Sequence, residues 1–114
     1  MHRFNLDRKT FLSVRNTGTG EAGKDTRFYY YQEGELIWGE YGGGHIIKGF
    51  LIGKTTGENS ISFTYQHINT ERQSRIGFCE SIITTLPHGK LHLDEHWRWL
   101  DGAQESGESA IEEV

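Results

Sequence analysis

The sequence holds a single cysteine, Cys79, and a single proline, Pro87. One thiol cannot close a disulfide within the chain, so noncovalent packing must carry the fold, and a reducing, cytoplasmic setting is expected. No apolar run approaches the roughly 20 residues of a membrane-spanning helix. The first seven residues, MHRFNLD, lack the apolar core of a secretory leader. Cationic charge is also scarce. Twelve Lys+Arg stand against 16 Asp+Glu, a net charge of −4. That balance argues against a surface that tracks phosphates, and no nucleic-acid partner is expected. The one local basic excess, Arg3, Arg8 and Lys9 around Asp7, reads as a solvated face.

Glycine and aromatic residues are abundant instead: 15 glycines, with Phe, Tyr and Trp at 12% of the chain. Many glycines with almost no proline suit tight hairpins better than a disordered tail. At 114 residues the chain is read as one domain, 1–114, long enough to bury a core without covalent staples. Residues 1–9 form an N-terminal arm. Strand-like runs follow at 10–16, 26–32, 35–41, 45–54, 60–69, 72–85, 90–100 and 109–114. Two polar stretches, 17–25 (TGTGEAGKD) and 101–108 (DGAQESGE), read as exposed, flexible loops. The other connections are short and carry glycine, and Leu86-Pro-His-Gly89 suits a type I turn. Strands joined by hairpins run antiparallel. Eight of them can close into an up-and-down β-barrel, with the last strand beside the first, which removes both exposed edges. A barrel of this size holds its own side chains or one small ligand.

Period-two alternation assigns the faces. In 90–99, Leu91, Leu93, Trp97 and Trp99 should point inward, and Glu95 goes in with them. In 61–67 the inward set is Ile61, Phe63, Tyr65 and His67. For 35–41 it is Ile37, Gly39 and Tyr41, and for 75–81 it is Gly77, Cys79 and Ser81. In 46–53 we place Ile47, Gly49, Leu51 and Gly53 inside, because Lys48 and Lys54 belong in water. That leaves Ile46, Phe50 and Ile52 outside, with Ile76 and Phe78 of a later strand.

Several motifs dissolve under this frame. Gly49–Thr55 is one residue short of a phosphate-binding loop, its middle is Phe-Leu-Ile, and no helix follows. His92-Leu-Asp-Glu-His96 spells a zinc-peptidase pattern that needs a helix, whereas its neighbours alternate as a strand. Read as a strand, His92, Asp94 and His96 share the outer face. Such a trio can bind a transition metal, but it fits an ordinary polar surface, and no metal site or cofactor is assigned. Cys79 has no second cysteine and no helix start to activate it, so an inert buried thiol is expected.

The inward polar residues matter more. Glu95, Tyr65 and His67 would place an acid, a phenol and an imidazole inside one lumen. A buried carboxylate must be paired, hydrogen-bonded or protonated. The cluster could be a self-satisfied network, could hold the polar part of a ligand, or could do acid–base chemistry.

The stretches YYYQEGELIWGEYGGGHIIKGFLIG, FTYQHINTE and LHLDEHWRWLDG resemble a family of small bacterial proteins with an avidin-like or calycin-like barrel. The markers are Tyr41-Gly-Gly-Gly44, Tyr65-Gln-His-Ile-Asn69 and Glu95-x-Trp97-x-Trp99. The resemblance spans 10–114 and implies that barrel. Some members carry the label N-acetylglutamate synthase. An acetyltransferase of the usual fold presents its coenzyme A signature, Q/R-x-x-G-x-G/A, at a strand-to-helix turn, and this sequence offers almost no helix to follow such a turn.

The leading expectation is therefore a non-enzymatic barrel that binds a small, partly apolar molecule at its mouth, lined by Tyr41, Tyr65, His67, Glu95 and Trp97. The alternative is a filled barrel that acts as a homo-oligomeric interaction module through Phe50, Ile52, Ile76 and Phe78. A third is an enzyme, an isomerase or hydrolase, working through Glu95 and His67.

Overall fold

A computed structural model describes residues 4–114; residues 1–3 of the N-terminal arm, Arg3 among them, lie outside the described residues. The chain forms eight strands: β1 (Lys9–Asn16), β2 (Arg27–Glu33), β3 (Leu36–Gly43), β4 (Ile46–Thr55), β5 (Ser60–Asn69), β6 (Ser74–Thr85), β7 (Leu91–Trp99) and β8 (Ser106–Glu113). They make one closed barrel in sequence order. β8 returns antiparallel to β1, with Phe11 opposite Glu113 and Asn16 opposite Ser109. The last strand begins three residues earlier than the sequence suggests. Ser106 and Gly107 pair with Arg98 and Trp97, so the ladder extends into the stretch read as loop 101–108.

The inward faces of β3, β5, β6 and β7 follow period-two alternation. Ile37, Tyr41, Ile61, Phe63, His67, Cys79, Ser81, Leu93, Glu95, Trp97 and Trp99 are all buried, and Tyr65 is half-buried against the core. The start of β4 departs from the pattern. Ile46, expected outside, is buried, and Ile47, expected inside, is 46% exposed. The register slips between Ile46 and Lys48 against β5, and between Tyr41 and Gly43 on the β3 side. One extra residue in a strand inverts every face beyond it. From Gly49 onward the expected alternation holds, with Leu51 buried and Phe50 and Ile52 exposed.

The two barrel ends differ. At one end, Leu6, Phe11, Tyr30, Ile37, Ile61, Leu93 and Ile111 are nearly or wholly excluded from solvent. Leu6 comes from the polar N-terminal arm. Its N–H donates to Gln32 Oε1 at 2.9 Å, and the Gln32 N–H donates to Asp7 Oδ1 at 3.0 Å. These two bonds fold the arm back so that Leu6 plugs the barrel. Burying one leucine contributes roughly 1.5–3 kcal/mol. The opposite end is formed where β1, β3, β5 and β7 finish, and there the lumen holds a cavity.

Inward glycines shape that cavity. A Cβ at Gly49 would strike the Tyr41 ring, one at Gly77 the Tyr65 ring, and one at Gly107 the Trp97 ring. In each case the glycine sits directly across the ladder from the aromatic residue it admits.

Candidate functional site

The cavity occupies about 60 Å³ at this second end. Tyr41, Tyr65, His67, Glu95 and Trp97, the five residues expected at the mouth from sequence, all line it. Register explains why they converge. Tyr41, Gly49, His67 and Arg75 lie in one row across β3 to β6. One step deeper come Leu51, Tyr65, Gly77 and Trp99. Cys79, Trp97 and Gly107 follow, and then Ser81, Glu95 and Ser109.

Glu95 is thus flanked on both neighbouring strands by serine. Ser109 Oγ donates to Glu95 Oε1 at 2.9 Å, and Ser81 Oγ to Oε2 at 3.5 Å. No cationic side chain reaches it among the described residues. Burial dominates and raises its carboxyl to about 7, against the two serine bonds that favour the ionised form. Burial likewise pushes the Cys79 thiol well up, with the Glu95 charge adding to it. Tyr30 Oη, fully buried, has no hydrogen-bond partner among the described residues.

Aromatic rings form the walls. Tyr65 and Trp99 meet at 5.6 Å between centroids and 64°, and Trp97 and Trp99 at 5.8 Å and 53°. The rings stand at steep angles to one another, as walls rather than as a stack. Each indole N–H finds a partner, as buried tryptophans require. Trp97 Nε1–H donates to Asn16 Oδ1 at 2.9 Å, and Trp99 Nε1–H to Thr19 Oγ1 at 3.2 Å.

Thr19 belongs to the 17–25 segment, expected as an exposed loop. Its outer residues are exposed, but residues 20–23 are half-buried, and Gly20, Glu21 and Ala22 line the cavity. The segment lies across the mouth as a lid. Its anchor is Glu21. His67 Nε2–H donates to Glu21 Oε1 at 2.7 Å, and Arg75 Nη1–H to Oε2 at 2.7 Å. Asn69 Nδ2–H reaches both oxygens at 3.3 Å. Arg75 also pairs with Asp101 at 3.3 Å and lies 3.9 Å over the Trp99 ring.

Burial sets the protonation of this network, and its partners modify it. Burial lowers His67 and outweighs the pull of Glu21, so the imidazole is neutral at pH 7. Its Nδ1 is then free to accept the Tyr41 hydroxyl at 2.9 Å. For Glu21, burial works upward, but the bonds from His67 and Asn69 and the charge of Arg75 together hold it below the ordinary value. Asp101 is lowered too, since the Ile76 N–H and Arg75 outweigh its burial.

Glu95 and His67 share no hydrogen bond. Each belongs to a separate network, one of serines and one of the lid. Both nevertheless line the same cavity. His92 and His96 face outward on β7, opposite to Glu95, so the zinc-peptidase spelling is split across the strand. His92 instead pairs with Glu112 at 2.7 Å and Asp94 at 3.0 Å. Among the described residues no group of three or more His, Cys, Asp or Glu side chains could hold a metal ion.

Sequence reasoning missed Glu21, Arg75 and Asp101. Arg75 was within reach: extending the inward series Gly77, Cys79, Ser81 by one step arrives at it. Glu21 and Asp101 lie in loops, where no periodicity points to a face.

A family model described as "Avidin-like protein" matches residues 4–114. No curated protein and no solved structure matches the chain.

Proposed function

Since the chain belongs to the avidin-like family, we propose that it is a non-enzymatic barrel that takes a small, partly apolar molecule into its lumen at the lidded end. The observation that carries this reading is the cavity itself. One barrel end is filled, and the other keeps a space walled by Tyr65, Trp97 and Trp99 with Glu95 beneath them. Ligand sites combine apolar walls with a few convergent polar groups in this way. At about 60 Å³ the space is well below the roughly 300–1,000 Å³ of drug-sized sites. The ligand is therefore small, or the lid lifts to admit a longer one. The lid is suited to lifting, because it is tied down by side-chain bonds rather than by a ladder.

Tryptophan emission tests this directly. Trp38 lies outside the lumen, stacked on Tyr31, so a Trp38→Phe variant leaves Trp97 and Trp99 as the reporters. A screen of small, partly apolar fragments should yield compounds that quench this emission and shift amide resonances around Tyr65 and Trp97. A screen that moves neither signal overturns the reading.

A second reading, compatible with the first, is self-association through the barrel wall. Phe50 is 57% exposed, Ile52 58% and Ile76 41%. Register places Trp38, Ile52, Thr64 and Phe78 in one outer row, and Phe50, Gln66 and Ile76 in the adjacent one. These rows bring Trp38, Phe50, Ile52, Ile76 and Phe78 onto one outer face of β3 to β6, with Thr64 and Gln66 of β5 between them, and exposed apolar side chains gathered on one face are of the kind that marks an interface. Light scattering should report an oligomer that dissociates in Phe50→Lys. A monomer at millimolar concentration counts against it.

A further inference from the structure

We propose, resting on the reading of the lumen as a ligand site, that the ligand carries a compact organic cation, an alkylated ammonium, seated between the Glu95 carboxylate and the rings of Tyr65, Trp97 and Trp99.

The charge inventory of the cavity points this way. Among the described residues its lining includes two carboxylates, Glu21 and Glu95, and no lysine or arginine. The cation at the rim, Arg75, is already shared between Glu21 and Asp101. His67 is neutral, held low by burial. Two carboxylates against one guanidinium leave this rim network with a net negative charge. Glu95 below them adds to that field and has only two hydroxyls for partners. An anion would meet repulsion at both depths, whereas a cation would meet attraction at both.

The walls fit the same charge. Aromatic rings attract cations through their negative faces, and the effect strengthens where water is excluded. Trp99 already holds one cation, since Arg75 covers it from the rim. Tyr65 stands at 64° and Trp97 at 53° to the Trp99 ring, so a rounded ammonium can touch several rings. A planar group would meet fewer of them. The small volume restricts the head group to a few carbon atoms around the charge.

The groups facing Glu95 also lack a competing cation. They are Tyr30 from β2, Tyr41 from β3, Tyr65 from β5 and Cys79 from β6, with Ser81 from β6 and Ser109 from β8 bonded to it. None of them is cationic. With its carboxyl near 7, Glu95 is partly protonated in the empty barrel, and a bound cation would draw the proton off. Cation affinity should therefore rise with pH. A neutral ligand that accepts a hydrogen bond from protonated Glu95 would show the reverse.

The test uses tetramethylammonium, choline and its neutral isostere 3,3-dimethylbutanol, titrated by calorimetry and NMR into the intact protein at pH 6 and pH 8. The expected result is binding of the cations at least tenfold tighter than the isostere, and roughly tenfold tighter at pH 8 than at pH 6. Glu95→Gln should abolish the pH difference and shrink the preference for the cations over the isostere. The pH comparison needs no variant, so it stands even if Glu95→Gln folds poorly. Equal binding of the isostere, or an inverted pH dependence, overturns the cation assignment and leaves the lumen reading intact. Failure of the cations while other fragments bind in the lumen does the same. Failure of every compound, fragments included, overturns both.

Discussion

Glu95 couples this molecule's stability to pH in an unusual direction. Folded Glu95 keeps its proton up to about pH 7, whereas the unfolded chain releases it near 4.5. Between those values the folded state binds more protons, so stability falls as pH rises through the window, by on the order of 3 kcal/mol. Two histidines act in or near the same range. His67, lowered by burial, favours the folded state as pH climbs toward 6.5. His92 is raised because its bonds to Asp94 and Glu112 outweigh burial, and its contribution is lost as pH rises through that raised value. Comparing the parent with Glu95→Gln cancels both. Urea unfolding at pH 5 and pH 8 should show a stability difference in the parent that shrinks by most of that amount in the variant, with the gain at pH 8. An unchanged difference would mean that Glu95 is ionised throughout. The inward placement of Glu95 was legible in the sequence, because four apolar residues at alternate positions of β7 carry it with them. Its partners at Ser81 and Ser109 follow from register, which only the assembled barrel supplies. Glu21 was not legible at all. Its role comes from a loop folding over a mouth that does not exist until the strands close.

At the level of the strand, the lumen is built by pairing glycine with aromatic residues across the ladder. Gly77 is the sharpest case, because Tyr65 lies over it and any side chain there claims the same space. Gly77→Val should cost about 1–3 kcal/mol as an overpacked site. Tyr65→Ala in the same chain should recover part of that loss, whereas Tyr65→Ala alone should destabilise. Thermal unfolding of the three variants completes the double-mutant cycle, and strict additivity would show that the two positions do not share volume. Strand identity and most faces were readable, since hairpin spacing and period-two alternation are local. The start of β4 was not. Both Ile46 and Ile47 are isoleucine, so composition cannot say which one faces in, and the bulge that decides it is set by pairing with β3 and β5. The N-terminal arm misled for a related reason: Phe4 and Leu6 are two apolar residues in polar surroundings, and the burial of Leu6 depends on a barrel end that needs a plug.

In the whole molecule, closure is uneven. β5 and β6 pair along Ser60–Ile68 and Ser74–Ile82, but β1 meets β2 only along Lys9–Leu12. Its contact with β8 is interrupted between Ser13 and Arg15. The seam around β1 should therefore open at lower free energy than the wall of β4 to β6. Native-state hydrogen exchange should show amides of Thr10–Leu12 exchanging faster than those of Phe63–Tyr65, and equal protection would indicate that the barrel opens only as a unit. The same seam fixes where β1 starts and β8 finishes. Lys9 pairs with Glu113 at 3.4 Å, and the Val114 N–H donates to the Thr10 carbonyl at 2.9 Å. Both sit at the plugged end, with the full length of the strands between them and the lid. A tether attached to this plugged end of the barrel would hold it like a cup on a stem, rim outward, so the protein can be anchored to a sensor surface without shading the opening through which a ligand would enter.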